Sequence, residues 1–180
     1  MHIKNTITNY GLVSKLFHWI SATLLVIQIP LGFYLVDLDF GKERISFENI
    51  HIIVGLSIFY LTIFRLLNNI INPPPKITTN LFLGQKYLAK INHLLLYISI
   101  LSITASGIFK KLLSGETLVI FFKEISMTED FKLAEQFYDI HTLSSYLIIT
   151  LISVHVLAVV VHKILFNENY KDIINNIYFQ

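Results

Sequence analysis

Apolar residues fall in four long runs separated by polar connectors, and each run is long enough to cross about 30 Å of hydrocarbon as a helix. The pattern predicts helices over about 14–36, 50–71, 91–113 and 137–166. Between the second and third stands NPPPKITTN, whose consecutive prolines forbid helix and mark a connector. The connector from Ser114 to Gln136 is longer and mixed, and its LVIFF followed by acidic residues leaves an interfacial helix open. Pro30, near the end of the first run, marks a kink. The expected architecture is an all-α membrane protein, a single four-transmembrane-helix bundle over residues 1–180.

Composition sharpens this picture and excludes others. The chain is 54% hydrophobic and 14% charged, with mean hydropathy +0.62, far from the balance of a water-soluble domain. The first apolar run continues as a full span, without the short core and small-residue cleavage site of a secretory signal. With 0 Cys there is no disulfide, iron–sulfur cluster or thioether-attached haem, so a metal must be held by His or carboxylates. The net charge of +2 and the absence of a basic tract give no reason to expect nucleic acid. Lys4, Lys15, Arg65, Lys76, Lys86, Lys90, Lys163 and Lys171 lie at the termini and second connector, while the other two connectors hold most of the acids. That bias predicts both termini on the cytoplasmic side.

The chemistry candidates are histidines inside these apolar runs. An ionisable side chain in a membrane helix is costly and therefore a functional candidate by default. His141 and His155 are 14 residues apart on the fourth span, which in a helix puts them roughly 21 Å apart and within about 40° of one face. The predicted topology sets His18 at the depth of His155 and His51 at the depth of His141. The same interval of 14 separates His18 from Gly32, His51 from Arg65, and His93 from Gly107. Gly32 and Gly107, with Gly55 one turn below His51, would leave room beside an outer macrocycle. Arg65 would meet an anionic group at the inner level.

Paired imidazoles at two depths suit haem iron, which accepts two axial imidazoles and then exchanges electrons with little rearrangement. Zinc wants four ligands at one point and is a poorer match. A copper site would need further donors that the helix centres lack. Two b-type haems, ligated by His18 with His155 and by His51 with His141, is the economical reading. Their propionates would find Arg65 at the inner level and Lys110 or Lys111 at the outer one. His162 and His93, near the other ends of their helices, are candidates for a propionate. Lys110, Lys111 and Lys123 would attract an anion by their local field.

These residues resemble the bacterial cytochrome b561 family. The resemblance rests on HW at His18 and Trp19, and on H-x-x-x-G at His51 and Gly55. It continues with R-L at Arg65 and Leu66 before Pro73 to Pro75, NHLLLY with a later S-G, and the H-x13-H-x6-H fourth span. It covers about Tyr10 to Phe166. It implies four helices, two b haems held at His18, His51, His141 and His155, and electron exchange with membrane quinone in the bacterial inner membrane. For that exchange it makes His162 and His93 candidates to meet a quinone carbonyl and Trp19, beside His18, a lesser candidate to line the pocket. One branch of the family acts as a superoxide oxidase, so the resemblance also implies superoxide:ubiquinone oxidoreductase activity as an expectation. Two departures stand out. Thr104 and Ala105 lie where the family often has Pro, and Lys163 lies where a second His often follows His162. The rival readings are an electron-relay cytochrome b subunit of a larger dehydrogenase or hydrogenase, and a haem-free metal or proton transporter.

Overall fold

The structure is a computed structural model that describes residues 2–75 and 83–165, with the side chains at 83, 85, 86 and 162–165 outside the description. Four helices long and apolar enough to span a membrane dominate it. They are α1 (Leu12–Asp37), α2 (Lys42–Ile71), α3 (Leu83–Leu113) and α4 (Phe131–Leu165). Three begin before the apolar runs do. α2 starts at Lys42 and not near 50, α3 at Leu83 and not near 91, α4 at Phe131 and not near 137. Hydropathy marks only what lipid requires, and a helix already paired along its backbone has no reason to stop there.

The helix ends show where their spare backbone groups go. At α4, Asp130 Oδ1 accepts the Leu133 N–H at 3.0 Å, an aspartate cap of the usual kind. At α1 the folded-back N-terminal segment does this work, with the Leu12 N–H donating to the His2 carbonyl at 2.9 Å. Asn5 then ties that segment to the end of α2. Its N–H donates to Asn72 Oδ1 at 3.0 Å and its amide to the Asn72 carbonyl at 2.8 Å. Pro30 lies inside α1, which continues through it to Asp37.

The connector between α3 and α4 forms a two-stranded antiparallel hairpin, β1 (Leu118–Ile120) and β2 (Lys123–Ile125). The interfacial helix left open there does not form. The apolar run LVIFF is too short for an amphipathic helix, and residues 121 and 122 close a tight turn.

The tightest packing is a layer across the middle of the bundle. Ile58, Ile100 and Ile148 are its buried centre, at 2%, 6% and 0% exposure, and Leu24, Leu25 and Ile29 of α1 close around them. Ile58 is seven residues past His51, Ile100 seven past His93, Ile148 seven past His141 and seven before His155. Seven residues are about 10 Å of helix. The isoleucine layer therefore separates two tiers of histidines. Two buried hydroxyls are satisfied on their own helices, Thr62 donating to the Ile58 carbonyl at 2.7 Å and Thr104 to that of Ile100 at 2.7 Å, while the Ser99 hydroxyl is buried with no partner.

Candidate functional site

On one side of that layer lies a cavity of about 500 Å³, bounded by all four helices and β1, within the usual range for a cofactor or ligand site. Ile58 and Ile148 form part of its floor, and Arg44, Glu48, Lys110 and Lys111 stand among its walls. His51 and His141 both line it, with ring centroids 6.2 Å apart.

Glycines permit this placement. A β-carbon on Gly32 would lie 3.2 Å from His51 Cε1, and one on Gly107 would lie 3.1 Å from His141 Cε1. Both glycines, expected to make room for a macrocycle, thus make room first for an imidazole. Gly55 borders Gln28 instead, whose amide donates to the His51 carbonyl at 2.9 Å.

The two rings differ in what holds them. His141 Nδ1 is 2.8 Å from the Ile103 carbonyl, so Nδ1 carries the proton there and Nε2 keeps its lone pair. The Ser106 hydroxyl shares the same carbonyl at 3.0 Å and lies 3.4 Å from Nδ1. His51 Nδ1, by contrast, is buried with no hydrogen-bond partner. Ile103 and Ser106 were not singled out in the sequence as partners of His141; the S-G at Ser106 and Gly107 was the available signal.

Beyond the isoleucine layer lies the second tier. His155 packs edge-on against His93, ring centroids 5.2 Å apart, and lies 3.5 Å from the Asn92 side chain through Nδ1. His18 Nδ1 is 3.4 Å from Arg65 Nη2, and its ring meets Trp19 edge-on. Arg65 also lies over the Tyr97 ring at 5.5 Å, and Tyr97 accepts from Asn69 at 3.1 Å. Asn92, next to His93 in the NH pair, is the partner that sequence reasoning passed over. His162, predicted as a quinone or propionate contact, has its side chain outside the described residues.

At the rim of the first cavity, Lys111 pairs with Glu48 at 2.9 Å and with Glu116. Its charge is therefore largely answered by protein. Lys110 lines the cavity with its ammonium 5.6 Å from the Tyr138 ring.

Among the described residues no three His, Asp or Glu side chains cluster closely enough to cage a bare metal ion. What the geometry offers is paired imidazoles. Metal–imidazole bonds of about 2 Å, added to the ring radii, put two axial rings about 6 Å apart. The His51–His141 spacing matches that figure, and the cavity they line has room for a planar group beside the two rings. The His93–His155 spacing is shorter than a shared metal requires.

The chain as a whole is similar to known proteins. A family model described as prokaryotic cytochrome b561 matches residues 9–175. A relative from Escherichia coli (strain K12), named cytochrome b561 homolog 2, is 28% identical over 123 residues, 67% of this chain. The matched stretch covers 65% of that relative's length.

Proposed function

The chain belongs to the prokaryotic cytochrome b561 family, and we propose that within it this protein is a di-haem cytochrome passing electrons between a periplasmic donor and the quinone pool. It is a multi-pass membrane protein of electron transfer, and its family implies b-type haem. The observation that carries the finer reading is the His51–His141 pair, spaced as one iron requires and facing a shared cavity.

In this reading His51 and His141 hold one haem, and His18 and His155 hold the second on the far side of the isoleucine layer. Such a group, with two imidazole ligands, supplies reversible one-electron chemistry with little rearrangement. The residues around it do the rest. Gly32 and Gly107 let the first pair of rings stand upright, and the Ile103 carbonyl keeps His141 Nε2 unprotonated for the metal. Arg65, 3.4 Å from His18 Nδ1, would answer a propionate of the second haem. His93, against His155, and His162 would donate a hydrogen bond to a quinone carbonyl and pass the proton that follows each electron. Ile58, Ile100 and Ile148 keep water out between the tiers.

The whole described chain acts as one domain, with both termini cytoplasmic and the protein in the bacterial inner membrane. The first cavity then opens toward the periplasm, where Arg44 and Lys110 favour an anionic donor. Superoxide fits that requirement and makes the protein a superoxide:ubiquinone oxidoreductase. Stopped-flow mixing tests it. Superoxide should reduce haem at near-diffusional rates, with reoxidation that depends on added ubiquinone. A haem-loaded protein that superoxide leaves oxidised would remove the donor assignment and favour the relay-subunit reading.

A further inference from the structure

The chain leaves the bundle at Leu113 and returns to the same place at Asp130, whose N–H donates to the Leu113 carbonyl at 2.9 Å. Between these points the β1–β2 hairpin turns through Phe121 and Phe122, with φ of 48° and 63°. A two-residue turn with both φ positive is normally built from Asn-Gly. Bulky aromatic residues in that region cost on the order of 1–3 kcal/mol each and persist only where the surroundings hold them. Tyr60 of α2 is the holder here. Its hydroxyl accepts the Phe121 N–H at 3.0 Å, and the two rings lie 4.8 Å apart.

That contact fixes how far down the hairpin reaches. Tyr60 lies twelve residues past Glu48, which is about 18 Å along α2. Glu48 and Glu116 share the Lys111 ammonium at the rim. Five extended residues from Glu116 to Phe121 span about 16 to 18 Å. The helix length and the strand length agree, so the hairpin runs down the flank of the bundle. Its tip lies beside Tyr60, near the middle of the apolar stretch of α2 from Ile50 to Ile71.

We propose that this hairpin is a re-entrant element immersed among lipid acyl chains, forming a side wall of the first cavity. Leu118, 7% exposed, lines that cavity, while Val119 at 59% and Phe122 at 101% face outward. The descending limb, Leu118 to Phe122, is wholly apolar. Lys123 and Glu124 follow the tip on the return, opposite Ile120 and Val119, so their charges must reach back up toward the headgroups, as a long lysine side chain does. Non-helical backbone at membrane depth survives only where its polar groups are met or it lines a cavity. The paired strands and the Tyr60 hydroxyl answer part of that need, and Leu118 sets one face of the hairpin against the cavity. The same account explains a tyrosine in mid-span, away from the interface belts where tyrosine usually sits. It depends on the four spans and is independent of which cofactor fills the cavity.

The absence of cysteine from the chain makes the test direct. Nitroxide labels are placed at Phe122→Cys, at Ile53→Cys on the outward face of α2, and at Thr128→Cys near the end of the bundle, in full-length protein in phosphatidylcholine vesicles. Collision with oxygen and with a water-soluble nickel chelate is then measured. Label 122 should match label 53, open to oxygen and closed to nickel. Nickel access equal to that at 128 would put the hairpin in water and overturn the proposal. Exclusion of both reagents would also overturn it, since protein, a second copy or another subunit, would then cover the tip. Tyr60→Phe in the labelled Phe122→Cys chain should raise nickel access at 122 with unchanged helical content, and no rise would remove Tyr60 as the holder.

Discussion

Gly107 and His141 meet so closely that a β-carbon on the glycine would stand 3.1 Å from the imidazole Cε1 and 3.2 Å from Nδ1. The backbone of α3 is thus the surface on which the ring rests, and the Ile103 carbonyl of the same helix fixes the ring's proton. Orientation and tautomer come from one short segment, 103–107.

Substitution at that seat should therefore act on one tier only. Gly107→Ala requires the His141 ring to shift by a few tenths of an ångström and should move the spectrum and potential of one haem. Gly107→Val should abolish that haem and keep the other. Gly84→Ala is the control, since nothing lies within 4 Å of its added methyl. Optical redox titration of the three proteins checks this. Equal effects on both haems from Gly107→Val would separate the glycine from His141.

The His141 tautomer gives a second expectation. Ser106→Ala removes the hydroxyl that competes for the Ile103 carbonyl, so the Nδ1–H bond should strengthen and the imidazole become a stronger donor to iron. The potential of that haem should fall, with haem content unchanged. A potential that does not move would mean Ser106 contributes nothing at this ring.

The Lys111 cluster should matter for stability. Its ammonium answers Glu48, whose side chain is 31% exposed, and the more exposed Glu116. Lys111→Ala strands two carboxylates near Arg44 and should cost roughly 1–3 kcal/mol, the upper part reflecting burial and the lower part solvent screening. The double variant Lys111→Met, Glu48→Gln should recover part of the loss. Thermal unfolding in detergent, followed by circular dichroism, reads both.

Ile148, fully buried, anchors the layer between the tiers. Ile148→Ala should lower stability by about 2 kcal/mol, the low end for such truncations, because lipid is as apolar an alternative as the core. It should also connect the first cavity to the second tier. A Tm equal to that of the parent would mean the layer is looser than its packing indicates.

The four spans were legible because hydrocarbon imposes length and apolarity on any crossing helix. The nearness of His51 and His141 was legible too, since each opens its apolar run on the same side and the topology therefore sets them at one depth. Helix starts were not, because Lys42 and Phe131 begin turns that lipid does not constrain. The isoleucine layer hides in a uniformly apolar background, where Ile58 looks like any neighbour until packing singles it out. The Phe121–Phe122 turn contradicts local preference outright, and a distant Tyr60 is what holds it. The acceptor for His141 is a backbone carbonyl, which no residue identity announces. His93 against His155 follows from rotation of α3 relative to α4, which periodicity leaves open.

Haem stoichiometry tests the central claim most directly. A pyridine haemochrome assay with a protein determination on the purified chain should give close to two b haems per polypeptide, falling to one in His51→Ala and in His141→Ala. A single haem in the parent protein, or none, would contradict the two-tier account.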